Sequence, residues 1–486
     1  MMVPLLPCLL LLLASDSASD LETETRRFAE FFAAVESQAA DPIIPEKALY
    51  DGAIPGMLRR LDPHSVFLNP DQFEQLKQLQ ESKSKGFGTV VSVLPGRVII
   101  LQTLAGTASA KAGLAPGDEI IAVNGIQLSR LGIEQLIGLL SESRQRPVNM
   151  DVRRPGSVRT LQFVLKPEEL QAPSVERVFA LRPGVGYIRV ASFDEKTGAD
   201  IRTAIEKLGG KDLKGLVLDL RNNPGGLLPA ALETASLFLK SGDRLLAVRG
   251  RAVQASEESV PKEAQPYTMP LVVLVNGKSA SASEIVAGSL QDHDRAVIIG
   301  EPSFGKGLVE SVYPLSEGTA VALTTAFYYT PSGRSIQKPL REGGQLDATT
   351  NRAPGQEYRT DSGRTVRGGG GIQPDQVVYD DPLTQLQMVL EGSASITTFA
   401  TEFLRTHNSV NESFEVTPDT LDAFQLFLSG RNIRPGVSEW LSIRRWVSNR
   451  LKTEIFNQAL GVEKGDEVEA QRDPRILAAL KTLGAE

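Results

Sequence analysis

The spacing of apolar residues changes several times along the chain, and each change predicts a different kind of structure. In residues 20–85, phenylalanines and leucines recur at helical spacing, which predicts a helical N-terminal segment. From Gly86 the pattern changes to short runs rich in β-branched residues, separated by turn signals such as Asn124-Gly125. One amphipathic helix is predicted at 131–140. Residues 86–168 are therefore expected to form a small β domain with one main helix.

Beyond a proline-containing linker, apolar strands and helices alternate. The runs Leu216–Leu220 and Leu271–Val275 are almost entirely apolar, as strands covered on both faces require. A helical pattern follows each run, which predicts an α/β domain at 174–385. Residues 338–370 within it are polar and glycine-rich and are expected to form a loop insertion. Residues 386–486 return to helical spacing and predict a helical C-terminal extension.

The N-terminal residues 1–19 resemble a secretory signal, because an apolar run is followed by small residues. No Lys or Arg precedes the run, and the run is shorter than the ~20 residues that span a bilayer. An uncleaved anchor, with membrane association through the N-terminus, therefore remains an alternative. The single cysteine, Cys8, lies in this segment and excludes an intramolecular disulfide. We expect an extracytoplasmic protein, either periplasmic or secreted.

Composition narrows the possible functions. The 486 residues contain 41% hydrophobic and 23% charged residues with a net charge of −7, which is ordinary for a globular protein. Without clusters of Lys and Arg, no nucleic-acid partner is expected. The chain has 3 histidines, no HExxH and no GxSxG pattern, and no cluster with metal-ligand spacing. We expect neither a metal nor another cofactor.

A candidate nucleophile lies where the second apolar strand passes into a helix. Ser279, Ser281 and Ser283 alternate with alanines there, and small residues allow a substrate to approach the backbone. A hydroxyl at a helix N-terminus also lies at the positive end of the helix dipole, which favours a developing oxyanion. The alternative is that these serines only cap the helix.

A candidate base, Lys306, lies between two glycines just after the next apolar strand. Lysine suits the role of general base because removal from water disfavours its charged form. The alternative is a surface lysine in a glycine turn. A Ser281–His293 pair is a further alternative, but His293 is predicted to lie past the end of the same helix.

The turn after the first apolar strand contains Asn223-Pro224-Gly225-Gly226. Backbone amides at Gly225 or Gly226, together with the amide of Ala282, are candidates for an oxyanion hole. A glycine-rich turn at this place could equally hold a phosphate, although neither Walker-type nor GxGxxG spacing occurs.

Taken together, these segments resemble the carboxyl-terminal processing (tail-specific) peptidase family over about two-thirds of the chain. The segments that carry the resemblance are, in chain order, Gly56–Ser65, Gly113–Gly125, Asp219–Gly226, Ser279–Ile285, Gly300–Gly307, Tyr328–Gln337 and Gly370–Asp375. The second of them is typical of PDZ domains. Each segment alone is a weak signal, but the ordered set is specific.

The resemblance implies a fold and a mechanism. The fold would be a ClpP/crotonase-like α/β peptidase core with a PDZ domain inserted before it. The mechanism would be that of a serine endopeptidase with Ser281 as nucleophile and Lys306 as base, working through an acyl-enzyme. Its substrates would be proteins with unstructured apolar C-termini, cut near that end. The PDZ loop Gly86-Phe87-Gly88-Thr89 would capture the free carboxylate.

One residue departs from the family pattern. Where the family usually has a glutamine that orients the lysine, this chain has Glu310. A carboxylate beside a lysine favours the charged ammonium and opposes base function. If Glu310 belongs to the catalytic set, Glu310→Gln is expected to lower the pH of half-maximal activity; an unchanged midpoint would remove it from the set.

Two other classes of function remain as alternatives. One is a PDZ binding module on a catalytically silent core, in which Glu310 at the position of the usual glutamine would indicate the loss of catalysis. The other is an acyl-CoA enzyme on the same core fold, since a fold does not fix a function. Phenylalanine spacing at both ends of the chain also suggests a homo-oligomer in which the arm 21–85 pairs with the tail of another copy.

Overall fold

The computed structural model describes residues 9–80, 83–251, 253–339, 355–407 and 410–485. Cys8 and the beginning of the predicted signal segment lie outside them. The chain divides into two compact units. Among the described residues, the first comprises 9–70 and 310–324, and the second comprises the remainder.

The first unit begins with one long helix, which is followed by shorter helices and a strand. Its elements are α1 (Leu9–Gln38), α2 (Pro45–Lys47), α3 (Ile54–Leu58) and β1 (Val66–Leu68). The predicted N-terminal helix is confirmed, and Phe28 and Phe31 on α1 are exposed. After α3 the chain turns because the Asp62 carboxylate accepts the amides of His64 and Ser65 at 2.7 Å each. β1 then pairs antiparallel with residues 320–322.

The second unit begins with a β-rich domain. Its elements are α4 (Pro70–Gln80), β2 (Lys83–Gly86), β3 (Thr89–Leu94), β4 (Arg97–Thr103), α5 (Ala108–Ala112), β5 (Glu119–Val123), β6 (Ile126–Gln127), α6 (Ile133–Ser143), β7 (Val148–Arg153), β8 (Leu161–Leu165) and β9 (Glu168–Gln171). The sheet has the order β3-β4-β5-β7-β8, and β6 pairs with β5. Its apolar core includes Val98, Ile100 and Leu136. β3 lies at one edge of this sheet.

An α/β domain follows, as the alternation of apolar runs predicts. Its first elements are β10 (Val175–Arg182), β11 (Val185–Val190), α7 (Thr197–Leu208), β12 (Gly215–Asp219), α8 (Leu228–Ser236), β13 (Arg244–Arg249), β14 (Ser256–Ser259), β15 (Leu271–Val275), α9 (Ala282–Asp292) and β16 (Val297–Gly300). Every residue of β12 and β15 is buried. These strands lie parallel at the centre of a sheet of order β10-β11-β12-β15-β16, in which β16 also pairs with the short strand β21 (Gln376–Val377).

Alternate residues of the central strands face two different cores, as the two-residue period of a strand requires. Leu218 and Val273 pack on one side with residues of α7, α8 and α9. Val217 and Val272 pack on the other side against residues of the C-terminal extension. Both faces are covered, so the apolar runs that predicted these strands are explained.

The remaining strands are β17 (Leu308–Pro314), β18 (Ala320–Tyr329), β19 (Glu357–Arg359), β20 (Thr365–Arg367) and β21 (Gln376–Val377). The prediction of a loop over 338–370 is wrong for its last part. β19 and β20 pair antiparallel around a turn closed by Gly363, which donates its amide to Thr360. Residues 340–354 lie outside the described part of the chain.

The C-terminal extension is helical, as predicted. Its helices are α10 (Gln385–Gly392), α11 (Ser395–Thr406), α12 (Pro418–Gly430), α13 (Val437–Ala459), α14 (Val462–Ala470) and α15 (Pro474–Thr482). Phe399, Phe424 and Trp440 belong to an apolar cluster of their own. In contrast, Ile476, Ala479 and Leu480 of α15 pack on the central sheet of the α/β domain. Within the described residues, no helix is long and apolar enough to cross a membrane.

Candidate active site

Ser281 lies at the junction between β15 and α9 in a strained backbone conformation. Its φ is 53° and its ψ is −114°, a region that L-residues rarely occupy. Ser281 is the residue before the first turn of α9, but its hydroxyl makes no capping hydrogen bond. The helix-capping alternative is therefore not observed at Ser281. Its side chain is partly exposed, at the positive end of the helix dipole.

Lys306 lies in the loop after β16, and the structure brings this loop to the nucleophile loop. The amides of Ser281 and Lys306 donate to the same oxygen, Oε2 of Glu284, at 2.9 and 2.8 Å. Gly305 precedes Lys306 with φ of 90°, and a Cβ there would lie 2.6 Å from the Lys338 side chain. The two segments that the sequence predicts to react together are thus joined through one carboxylate.

Glu284 is the centre of this hydrogen-bond cluster. It lies in the first turn of α9 and is fully buried. Besides the two amides on Oε2, its Oε1 accepts the Gly305 amide at 2.7 Å and the Ser303 hydroxyl. Burial raises the pKa of Glu284, and its hydrogen bonds act in the opposite direction. Four donors around an acceptor-only group suit a carboxylate that fixes the backbone of both loops.

Tyr328, near the end of β18, makes a second link between the same two loops. Its hydroxyl lies 2.8 Å from the Lys306 carbonyl oxygen and 3.2 Å from that of Ser281. Burial, together with the charge of Glu284, raises the pKa of Tyr328 well above its ordinary value. Tyr328 therefore keeps its proton and remains a donor throughout the neutral pH range.

The glycines after β12 approach the nucleophile closely. A Cβ on Gly225 would lie 2.8 Å from the Ser281 Cβ, and a Cβ on Gly226 would lie 2.0 Å from the Phe193 carbonyl oxygen. Their φ values of 106° and 145° also favour glycine. This loop needs glycine for both backbone conformation and space.

The structure corrects one candidate for the oxyanion hole. The Gly225 amide already donates to Oδ1 of Asn223 at 2.8 Å, so it is committed within its own loop. Among the described residues, the amides of Gly226 and Ala282 have no hydrogen-bond acceptor. The sequence did not identify Asn223 because an asparagine in a glycine turn usually serves only the turn.

The loop before the edge strand of the β-rich domain contains the residues that the sequence predicts to bind a carboxylate. Phe87 turns its side chain into the apolar core. Gly88 has φ of 79°, and a Cβ there would lie 2.2 Å from the Thr107 hydroxyl oxygen. The carbonyls of Phe87 and Gly88 accept the amides of Ser109 and Leu104 at 3.0 and 2.8 Å. Gly86 pairs with Glu168, and Thr89 pairs with Thr103.

His293, the alternative partner for Ser281, lies elsewhere. The ring nitrogens of His293 contact the Asp361 carboxylate and the Arg244 carbonyl, each at 2.7 Å, at the far end of α9 from Ser281. A Ser281–His293 pair is therefore excluded. Glu310 is an exposed residue of β17 and belongs to the first unit. In the described part of the chain, no group of three or more His, Cys, Asp or Glu could hold a metal ion.

Sequence reasoning missed two residues that shape this site. Glu284 stands three positions after Ser281, the spacing of a capping box, and this signal could have identified it. Tyr328 gives no local signal, because its position follows only from the path of β18. Both residues lie within the segments that carry the family resemblance.

Two protein-family profiles and several known proteins match this chain. The profile of peptidase family S41 matches residues 184–343, and a PDZ domain profile matches residues 99–154. A carboxy-terminal-processing protease of Bartonella bacilliformis is 37% identical over 317 residues, which are 64% of this chain and 72% of that protein. This chain belongs to the carboxy-terminal-processing proteases of peptidase family S41.

Further relatives of this S41 peptidase have the same description. A carboxyl-terminal-processing protease of Synechocystis is 35% identical over 293 residues, 59% of this chain and 68% of the relative. Among solved structures, a photosystem II D1 C-terminal processing protease is 27% identical and covers 76% of this chain and 96% of its own, with a TM-score of 0.41. The chain is thus a serine-type peptidase that acts on proteins, and the acyl-CoA alternative is set aside.

Proposed function

We propose that this chain is a serine endopeptidase in which Ser281 is the nucleophile and Lys306 the general base. The observation that carries the proposal is the Glu284 carboxylate, which binds the amides of both residues through one oxygen. The strained φ of Ser281 and its position before α9 agree with the role of nucleophile. The amides of Gly226 and Ala282 serve as the oxyanion hole.

The reaction follows from these positions. Ser281 Oγ attacks the scissile carbonyl carbon while its proton passes to Nζ of neutral Lys306. The oxyanion accepts hydrogen bonds from the Gly226 and Ala282 amides, and the tetrahedral intermediate collapses to an acyl-enzyme. Lys306 gives its proton to the departing amine. Water then attacks the ester carbonyl while Lys306 accepts its proton. The bond between the carbonyl carbon and Ser281 Oγ breaks, Lys306 returns the proton to Oγ, and the acyl group leaves as a carboxylic acid.

Substrate capture belongs to the PDZ domain in this proposal. The free C-terminal carboxylate binds at the loop Gly86-Phe87-Gly88-Thr89, and the tail adds as a strand to the edge of β3. Among the described residues, the amides of Phe87 and Gly88 have no acceptor, as a carboxylate-binding loop requires. The exposed Ile133 and Ile137 on α6 favour an apolar tail.

The catalytic assignment is tested by digestion of an unstructured protein with an apolar C-terminus. Ser281→Ala and Lys306→Ala are each expected to abolish cleavage at every pH while they remain folded by circular dichroism. Lys278→Ala is the matched control, because it removes an exposed lysine from the nucleophile loop. Cleavage that survives in Ser281→Ala would overturn the assignment. A folded wild-type chain that never cuts but binds the tail would favour the binding-module alternative.

Capture by the PDZ domain has its own test. A peptide with a free apolar C-terminus is compared with the same peptide amidated at that end. Amidation and Gly88→Ala are each expected to raise KM about tenfold, because the carboxylate loses its donors or the loop loses its shape. Gly106→Ala is the control, since a Cβ there meets no atom although its φ is also positive. Equal KM values for both peptides would contradict capture.

The location of the protein completes the proposal. We infer from the apolar N-terminal run that the peptidase acts outside the cytoplasm, on proteins of that compartment. Fractionation of cells that express the full chain tests this inference. Recovery of the activity with the cytoplasmic fraction would contradict it.

A further inference from the structure

The oxyanion loop, residues 221–226, begins with a largely buried arginine whose partners come from two distant parts of the chain. Arg221 donates from its backbone and from Nε to Oδ1 of Asp219 at 2.9 Å each. Its other side faces Asp473, with which it forms a second ion pair. Asp219 also accepts the Tyr187 hydroxyl at 2.6 Å. The guanidinium therefore joins the end of β12 to the C-terminal extension.

Asp473 is held in place independently of that pair. It is the residue before α15, and its Oδ1 accepts the Arg475 amide at 2.9 Å. The apolar face of α15, with Ile476, Ala479 and Leu480, packs on the central sheet. Since α15 is anchored in this way, Asp473 is a fixed acceptor for Arg221 rather than a mobile surface charge.

The other anchors of the loop all come from the α/β domain itself. The Asn222 amide donates to Asn276 Oδ1 at 2.9 Å, and Asn223 Nδ2 donates to the Val190 carbonyl at 2.8 Å. The Gly225 carbonyl accepts the Phe193 amide at 2.9 Å. These bonds hold the middle and the end of the loop. Its beginning is held through Arg221, whose second carboxylate is supplied from α15.

We propose that Asp473 is a positioning residue for peptide hydrolysis: it holds Arg221 and thereby fixes the loop that presents the Gly226 amide to the oxyanion. This inference rests on the proposed function of Ser281, Gly226 and Ala282. It assigns to the C-terminal extension a part in catalysis, although the extension lies beyond residues 184–343 of the peptidase match. A misplaced donor weakens transition-state binding more than substrate binding, so the effect falls on kcat.

The test compares Asp473→Asn and Asp473→Glu with the wild type on a quenched fluorescent peptide that has an apolar free C-terminus. Asp473→Asn is expected to lower kcat about tenfold with KM changed less than about twofold, as loss of a transition-state interaction requires. Asp473→Glu restores the charge and is expected to recover most of kcat. Glu391→Gln is the matched control, because it breaks an ion pair with Arg450 at 2.7 Å inside the same extension.

A second measurement reports the mobility of the oxyanion loop in the absence of substrate turnover. Hydrogen exchange of the amides of residues 221–226 is expected to be faster in Asp473→Asn than in the wild type or Glu391→Gln. If Asp473→Asn does not fold, kcat and hydrogen exchange are measured on Arg221→Lys instead. This variant keeps the positive charge but loses the forked contact of the guanidinium with two carboxylates.

The outcomes separate this inference from the function on which it rests. Equal kcat values for Asp473→Asn and Glu391→Gln, or unchanged exchange of the loop, would overturn the positioning role while Ser281-dependent cleavage by the wild type still supported the peptidase assignment. Cleavage that does not depend on Ser281 would overturn the assignment itself. In that case the exchange data would still report whether Asp473 fixes the loop.

Discussion

Two carboxylates hold the loops of the candidate site, and they do so in opposite ways. Glu284 is surrounded by neutral donors, three amides and one hydroxyl, and burial raises its pKa. Burial also raises the pKa of Asp473, but the charges and hydrogen bonds of Arg221 and Arg475 together outweigh it and hold the pKa below its ordinary value. The first carboxylate binds backbone directly, and the second acts through a cation. This difference predicts which substitution lowers kcat more. It also predicts in which direction the contribution of each carboxylate to stability changes with pH.

The largest effect is expected for Glu284→Ala. Four buried donors at Ser281, Ser303, Gly305 and Lys306 lose their acceptor, and each unsatisfied donor costs about 1–3 kcal/mol. With both reacting residues displaced, kcat is expected to fall on the order of 100-fold. Steady-state kinetics and urea unfolding measure the two losses. Activity within about twofold of the wild type would show that Glu284 does not position the site.

Removal of the carboxylate charge alone tests whether the two groups act in different ways. Glu284→Gln places a donating amide group among four donors, whereas Asp473→Asn keeps an oxygen that can accept from Arg221. We therefore expect Glu284→Gln to lose about tenfold more kcat than Asp473→Asn. Both variants are measured on one substrate at one pH. Equal losses would mean that neutral donors and a cation depend on the carboxylate charge to the same degree.

A smaller effect is expected for Tyr328→Phe. The hydroxyl that lies between the Lys306 and Ser281 carbonyls is lost, but both carbonyls have other lone pairs and the ring remains buried. Stability is expected to fall by about 1 kcal/mol and kcat a few-fold. Since Tyr328 does not titrate near neutral pH, the midpoint of the pH profile is expected to stay where it is. A shifted midpoint would assign Tyr328 a direct part in proton transfer.

The smallest effect is a difference in the pH dependence of stability. A carboxyl group with a raised pKa binds protons more tightly in the folded state than in the unfolded state. The contribution of Glu284 to the free energy of unfolding is therefore greatest below its unfolded pKa of 4.5, and it declines as pH rises through the folded pKa. The lowered pKa of Asp473 gives the opposite sign. Its contribution is complete above 3.8 and is lost as pH falls through the folded value.

Urea unfolding of the wild type, Glu284→Gln and Asp473→Asn across this pH range measures both slopes. The difference in unfolding free energy between wild type and Glu284→Gln is expected to shrink as pH rises. The difference for Asp473→Asn is expected to shrink as pH falls. Slopes of the same sign would show that burial, rather than the nature of the donors, governs both groups.

The sequence predicted the fold where local patterns determine it. The runs at 216–220 and 271–275, which are apolar except for Asp219, correspond to β12 and β15, because a strand covered on both faces leaves little place for polar residues. The hairpin of β19 and β20 was missed because each strand has three residues with a single apolar or aromatic side chain, Tyr358 or Val366, and its turn lies in a glycine-rich stretch. Short strands on a surface do not need an apolar period.

The site was predicted only in part, for a related reason. Motifs identified Ser281, Lys306 and the glycine pair, since each has a local signature at the end of a strand. The commitment of the Gly225 amide to Asn223 depends on loop geometry that no spacing reveals. The Arg221–Asp473 pair joins segments far apart in sequence, and neither residue stands in a pattern that points to the other. The roles of Glu310, the PDZ loop and the dyad itself stay predictions until they are measured.

The position of α15 in the chain has a consequence for biosynthesis. Translation delivers the segments in order, and domains begin to fold as they leave the ribosome. A nascent chain therefore carries its nucleophile and its base long before the residues around Asp473 exist. Until those residues emerge and α15 covers the sheet, the beginning of the oxyanion loop lacks its outer support. A peptidase built in this order completes the support of its oxyanion loop only when its last helix has been made.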